Sequence, residues 1–245
     1  HNAISFAMWS ALGRLMPALA DRADVDVVVL AGTEGGPFSA GADISEFTTL
    51  RSDPDGAQAY SQAVAAGEGA LIAFPKPTIA LVQGFAIGGG TQLAVACDLR
   101  VCDVTARFAI TPARLGIVYA LESTARLVET VGAPWASWIL LTGDQLDADT
   151  ALRIGLVHEV LSTELVVDRA YAIAATLAQR AQVSLLGGKQ LIARAVTGAV
   201  VPDDDVRALY AASLHSREYA EGVAAFLAKR PADFPAARAQ DTPSS

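Results

Sequence analysis

Apolar residues recur at helical spacing over residues 6–21, with Met8, Leu12, Leu15, Met16 and Leu19 on one stripe, which predicts an amphipathic helix. A continuous β-branched run follows at residues 25–31 and stops at Gly32, so the helix feeds a buried strand. The next such run, residues 78–82, lies between Pro77 and Gly84 and is preceded by a Pro- and Gly-punctuated stretch, residues 51–67, read as a variable connection. Beyond Gly88-Gly89-Gly90 comes an apolar helix pattern at residues 93–96, then strand candidates at 99–102 and 107–110 and a helix at 123–131. From Pro134 the pattern is mostly helical: 135–141, 147–154 with Asp147 as N-cap, 164–180, 184–196, 203–213 and 218–229, interrupted by one short strand at 156–161. Strands that alternate with helices predict an α/β fold with largely parallel, buried sheets. The last 60 residues hold no strand candidate, so the chain divides into a core, residues 1–183, and a helical region, residues 184–245, whose apolar faces need the core and neighbouring subunits to cover them.

Composition sharpens that picture. The 245 residues are 52% hydrophobic and 18% charged, with a mean hydropathy of +0.36. No apolar run approaches the roughly 18–20 residues of a membrane span, so the apolar excess belongs in a core and between subunits, and no membrane partner is expected. The formal charge is −8 and the 18 basic residues are scattered, which argues against nucleic acid as a partner. A cytoplasmic location is the default expectation. Cys97, Cys102, His1, His158 and His215 share no ligand spacing and are read as ordinary thiols and imidazoles, with no metal site.

Candidate chemistry sits on two glycine-rich turns that follow strands, Phe38-Ser39-Ala40-Gly41-Ala42-Asp43 and Gly84-Phe85-Ala86-Ile87-Gly88-Gly89-Gly90. A dinucleotide loop needs G-x-G-x-x-G or G-x-G-x-x-A, and the best register fails at Leu93. A hydrolase elbow fails at Pro37, two residues before Ser39. Such turns do expose backbone N–H groups with no Cβ in the way, and two facing each other would form an oxyanion hole.

These turns, with Asn2-Ala3-Ile4-Ser5, Lys76-Pro77-Thr78-Ile79-Ala80, Cys97-Asp98-Leu99-Arg100, Leu141-Thr142-Gly143, Ala151, Gly155-Leu156-Val157 and Phe226-Leu227-Ala228-Lys229-Arg230, resemble in order the signature blocks of the crotonase (enoyl-CoA hydratase/isomerase) superfamily. The resemblance implies a spiral core of ββα units and a C-terminal helical region that builds a homotrimer or a dimer of trimers. It implies that the N–H groups of Ala42 and Gly89 hold the thioester oxygen of an acyl-CoA, and that Ala40, Ala42, Ile44, Phe226 and Lys229 contact coenzyme A. No cofactor is implied beyond coenzyme A as part of the substrate. Enolate formation places negative charge on that oxygen, which is what preorganised donors stabilise.

Departures from the family pattern carry as much information. Hydratases of the family hold two glutamates, since adding water requires one group to take a proton and another to give one. Here Gln92 and Pro112 occupy those positions, and neither transfers a proton near neutral pH. The stretch from Thr111 to Tyr119 resembles the methylmalonyl-CoA decarboxylase branch, in which Thr-Pro replaces the Pro-Glu pair and a tyrosine follows the Leu-Gly. Loss of CO2 generates the enolate directly and needs no carboxylate base, and the role expected of Tyr119 is to orient the departing carboxylate or to protonate the enolate. That branch carries histidine where Ala42 stands and glutamate where Gln92 stands. The favoured expectation is therefore decarboxylation of a malonyl-type acyl-CoA with Tyr119 beside the substrate. The alternatives are an enoyl-CoA hydratase or isomerase of fatty-acid metabolism with Glu122 as base, and a non-catalytic acyl-CoA-binding homologue.

Overall fold

A computed structural model describes residues 1–240, and residues 241–245 of the expected C-terminal region lie outside the described residues. Strand β1 (Ala3–Ile4) leads into α1 (Phe6–Ala20), which Ser5 caps by accepting the Met8 N–H. Then come β2 (Val28–Ala31), β3 (Gly41–Ala42), the short α2 (Phe47–Leu50) and α3 (Pro54–Ile72). The centre of the chain supplies β4 (Thr78–Val82), β5 (Phe85–Ile87), α4 (Gly89–Ala96), β6 (Leu99–Asp103), β7 (Arg107–Ala109), α5 (Pro112–Leu115) and α6 (Leu121–Thr142). After β8 (Leu146–Asp147), α7 (Ala148–Arg153), β9 (Glu159–Leu161) and α8 (Val166–Ala178) follow the terminal helices α9 (Gln182–Val196), α10 (Asp204–Leu214), α11 (Arg217–Leu227) and α12 (Phe234–Ala239).

The expected alternation is realised as a parallel sheet in the order β2-β4-β6-β9. A second sheet has the order β5-β7-β8, antiparallel only at its β8 edge. All five residues of β4 are buried, and its alternation divides the core: Ala80 and Val82 face the main cluster, while Ile79 and Leu81 face Val166 and Ala170 of α8. Asp147 caps α7 as predicted, accepting the Thr150 N–H.

One reading fails outright. Most of residues 51–67 is no variable connection: residues 54–67 form the larger part of α3, a 19-residue helix capped by Asp53 with Pro54 in its first turn. Two of its glycines, Gly56 and Gly67, sit where a side chain would strike backbone. A Cβ on Gly67 would stand 2.8 Å from the Trp9 carbonyl oxygen and 3.1 Å from the Trp9 ring, so α1 and α3 approach at this point because no side chain intervenes. The strand read at residues 25–31 also begins late, at Val28, because the Val25 N–H is spent on the Arg22 carbonyl in a turn leaving α1.

The terminal helices are tied down at Glu218, whose carboxylate accepts the N–H groups of Gln182 (2.9 Å) and Val183 (2.8 Å) at the start of α9 and pairs with Arg238 of α12. Arg238 also reaches Asp26, two residues before β2, at 3.2 Å. Among the described residues, no helix is long and apolar enough to cross a membrane.

Candidate active site

The two glycine-rich turns lie against each other. Ser39 and Ala86 form a parallel bridge, with the Ser39 N–H donating to the Phe85 carbonyl (2.7 Å) and the Ile87 N–H to the Ser39 carbonyl (2.9 Å). Two glycines allow this approach. A Cβ on Gly41, whose φ is +94°, would fall 2.6 Å from the Ile87 carbonyl oxygen, and one on Gly90 would fall 2.7 Å from the Ser39 carbonyl oxygen. The Ser39 hydroxyl secures the first turn by donating to the Asn2 carbonyl (2.8 Å) and accepting the Gly41 N–H (3.1 Å).

Ala42 and Gly89 both lie at this junction. The Asp43 N–H donates to the Ile4 carbonyl on the neighbouring strand, so the preceding N–H, that of Ala42, points away from β1. Gly89 is the first residue of α4, where an N–H has no partner inside the helix. Gly88, at φ 53° and ψ −115°, turns the Gly89 N–H outward, a backbone conformation that belongs to glycine. The position of a Cβ on Gly41 lies 3.6 Å from the Gly89 nitrogen, which brings the two peptides together. Thr91 braces the second turn through its hydroxyl, which reaches the carbonyls of Ala86 and Ala109.

One turn into α4, Gln92 joins a buried cluster. Its amide donates to Glu68 Oε2 (2.6 Å) and to Ser123 Oγ (3.0 Å), and the Ser123 hydroxyl donates to the same Glu68 oxygen at 2.7 Å. Glu68 comes from α3, where it is 5% exposed, and Ser123 from the first turn of α6. Burial lifts the Glu68 carboxyl above the ordinary glutamate range; the Ser123 and Gln92 hydrogen bonds and the charge of Arg126 oppose the rise, and Glu122 adds to it. Tyr119 is partly buried against the core beside Ser123 and Glu68, and burial followed by the Glu68 charge raises its hydroxyl above the usual tyrosine value. Trp9 couples the two halves of the site: its ring lies against Gly67, next to Glu68, and within 2.9 Å of where a Cβ on Gly89 would stand.

The other candidates are placed differently. Glu122 is exposed in the first turn of α6, outside the buried cluster. Ala40 donates its N–H to the His1 carbonyl, and Ile44 lies half exposed in the 3-10 turn after β3, which Asp43 caps by accepting the Ser45 N–H. Pro112 begins α5, three residues beyond Ala109, whose carbonyl accepts the Gly88 N–H at 2.7 Å. Phe226 is 83% exposed near the end of α11, and Lys229 follows that helix at φ +54°. Cys97 and Cys102 are buried thiols pushed up to about 12 by desolvation. A cavity of about 880 Å³ lies between α9 and the core, lined by Cys97, Asp98 and Lys189 at the opposite end of α4 from Gly89.

Glu68 and Ser123 were not singled out from the sequence. Glu68 is the only charged residue between Asp55 and Lys76, and it falls on the apolar stripe of Tyr60, Val64 and Leu71 at helical spacing. That signal is available only once the segment is taken as a helix.

With this geometry in hand, comparison with known proteins decides the family. The family model described as enoyl-CoA hydratase/isomerase matches residues 1–237. The chain belongs to the enoyl-CoA hydratase/isomerase family. Among its curated relatives, the 2,3-dehydroadipyl-CoA hydratase of Escherichia coli (strain K12) is 32% identical, over 96% of this chain and 90% of that protein. The crotonyl-CoA hydratase of Syntrophomonas wolfei is 31% identical, over 89% and 83%. A crystal structure of an enoyl-CoA hydratase/isomerase family protein from Hyphomonas neptunium superposes with a TM-score of 0.91 at 35% identity, over 95% of this chain and 88% of that one. The fold is the crotonase fold, and the expected C-terminal helices fit it. The comparisons name hydratases and give no support to the decarboxylase branch suggested by residues 111–119.

Proposed function

We propose that this family member acts on an enoyl-CoA thioester, by hydration or by a shift of the double bond, through an enolate whose oxygen is held by the N–H groups of Ala42 and Gly89. The observation that carries this reading is the close approach of the Gly41 and Gly89 peptides, which leaves two outward donors and no side chain between them. Donors fixed before the reaction stabilise charge that develops in the transition state, typically by roughly 3–4 kcal/mol for each hydrogen bond. Relatives named as hydratases of enoyl-CoA esters support the substrate class.

Decarboxylation of a malonyl-type ester is the weaker reading for a physical reason as well. Tyr119, the residue assigned to the substrate's carboxylate, lies beside the buried carboxyl of Glu68, and a second carboxylate there would meet like charge in a desolvated setting. In the proposed reaction, coenzyme A runs past Ala40 and Ile44 and is met by Phe226 and Lys229, with the end of α11 and the residues after it, from a neighbouring subunit, supplying the last two. The large exposed side chains of Phe226 and Leu227 support such a subunit contact, and a trimer or a dimer of trimers is the assembly proposed.

The test is turnover of crotonyl-CoA and 3-hexenoyl-CoA beside CO2 release from malonyl-CoA. Conversion of either enoyl ester with no CO2 release is the expected result. CO2 release alone would restore the decarboxylase reading, and tight binding of all three without turnover would make the chain an acyl-CoA-binding protein.

A further inference from the structure

We propose that Glu68, carried by α3, is the acid/base that moves the proton in this reaction. The inference rests on the enoyl-CoA reading above and assigns the group that the positions of Gln92 and Pro112 leave unfilled.

Three observations carry it. Glu68 is the buried carboxyl at the site among the described residues: the other two buried acids, Asp103 and Glu218, are committed to the Thr105 turn and to the start of α9. Its position follows from the frame that builds the hole, because Trp9 lies against both Gly67 and Gly89 and Gln92 spans the remaining gap from the first turn of α4. Its two oxygens are treated unequally. Gln92 and Ser123 both donate to Oε2, whereas Oε1 has no hydrogen-bond partner among the described residues. A carboxylate solvated by two donors on one oxygen keeps the other for a proton.

One carboxyl completes a double-bond shift without a second acid. The C2–H bond of a 3-enoyl thioester breaks, its proton bonds to Glu68 Oε1, and its electron pair passes to the thioester oxygen, which Ala42 and Gly89 hold. The carbonyl then re-forms, the C2=C3 bond forms, and the former C3=C4 pair takes the proton from Oε1 at C4. Glu68 ends as the carboxylate it was at the start, so no co-reactant is consumed. Arg126 and Glu122 of α6 act on its charge in opposite directions, Tyr119 lies beside it just before α6, and burial keeps the neutral acid accessible nearer to neutral pH than for a free glutamate.

The experiment has two readouts. Exchange of the C2 protons of butyryl-CoA in D2O, followed by NMR, reports proton removal without any enoyl turnover, and isomerisation of 3-hexenoyl-CoA reports the full shuttle. Glu68→Gln, which keeps both donors to the side-chain oxygen, is expected to lose roughly 10²-fold or more in each, with butyryl-CoA affinity unchanged. Glu122→Gln should stay within about threefold of the parent. Moving the carboxyl to its neighbour in the double variant Glu68→Gln, Gln92→Glu should recover at least roughly a tenfold part of the loss, which a packing role would not do. If Glu68→Gln does not fold, Glu68→Asp provides the comparison, with exchange reduced and its pH profile displaced. Exchange that is absent from the parent, or that survives Glu68→Gln, overturns the assignment. Absence of enoyl turnover with Glu68-dependent exchange intact instead overturns the enoyl-CoA reading and leaves the assignment standing.

Discussion

The oxyanion turns and the carboxyl cluster lie one helical turn apart on α4, yet they are made of different material. The turns use main-chain N–H groups, so what they demand of the sequence is glycine: Gly41 and Gly90 to let two backbones meet and Gly88 to rotate a peptide outward. The cluster uses side chains from α3, α4 and α6, and it demands only that Glu68, Gln92 and Ser123 converge in a space closed to water. A backbone site fails by sub-ångström displacement, whereas a side-chain site can keep its shape while losing its chemistry. Substitutions that change one half and spare the other will show whether the difference holds.

The largest effect is expected at Gly41. An alanine there places a Cβ 2.6 Å from the Ile87 carbonyl and forces a side chain onto a residue at φ +94°, so the two turns must separate. Misplacing even one donor is expected to cost about 10²–10³ in kcat. For Gly41→Ala, 3-hexenoyl-CoA and crotonyl-CoA turnover should fall together by that factor, and the melting temperature should also drop. Turnover equal to the parent would mean that the hole is not built from these peptides.

Gly67→Ala strikes the frame between the halves. The added Cβ meets the Trp9 backbone at 2.8 Å and its ring at 3.1 Å, and backbone cannot yield as a flexible side chain does. Overpacking of this kind costs roughly 1–3 kcal/mol. For a chain of this size each kcal/mol lowers Tm by about 2–4 °C. The expected result is a fall in Tm together with a smaller loss of kcat, because Trp9 also touches the Gly89 side. A stability loss with kcat unchanged would show that Trp9 does not transmit strain between the two halves.

This contrast explains what could be seen in the sequence. The helix over residues 6–21 was legible from apolar residues at helical spacing, the strand over residues 78–82 from a continuous apolar run between Pro77 and Gly84, and the two facing turns from glycines that stand where strands end. Glu68 was hidden because the glycines of α3 resemble loop punctuation. Gly56, Gly67 and Gly69 lower helix propensity, yet Asp53 caps the helix and packing against α1 sustains it. Glu122 stood out for the opposite reason: it follows Tyr119 closely in the chain, but a helix's first turn places neighbouring residues on different faces, and it is Ser123 that turns inward. Proximity along the chain was a poor guide, since Glu68 lies 24 residues from Gln92 and 55 from Ser123.

Ser123→Ala tests the side-chain half more gently. The hydroxyl donates to Glu68 Oε2 and favours the charged carboxylate, so its loss should raise the Glu68 pKa further. A group that must be ionised to accept a proton becomes active only above its pKa. The acidic limb of kcat/KM should therefore move to higher pH, with a loss of less than about tenfold on the plateau. A limb that stays in place would assign the acidic limb to a group other than Glu68.

The smallest effect concerns stability rather than rate. Because burial raises the Glu68 pKa in the folded state, the folded chain binds that proton more tightly than the unfolded chain does. Its contribution is then most favourable below the unfolded glutamate value, about 4.3, and is lost as pH rises through the folded value. Above that value the protein carries a buried carboxylate that only Gln92, Ser123 and the more distant Arg126 offset. Glu68→Gln removes the titration while retaining an oxygen for both donors. Melting curves from pH 4 to pH 8 should thus show the variant gaining Tm on the parent as pH rises, by a few degrees at most. A parent that instead gained on the variant over this range would mean that the hydrogen bonds outweigh desolvation and that the carboxylate is the preferred form. The Glu68 carboxyl would then titrate at or below the value of a free glutamate, and the acidic limb of kcat/KM would sit correspondingly lower.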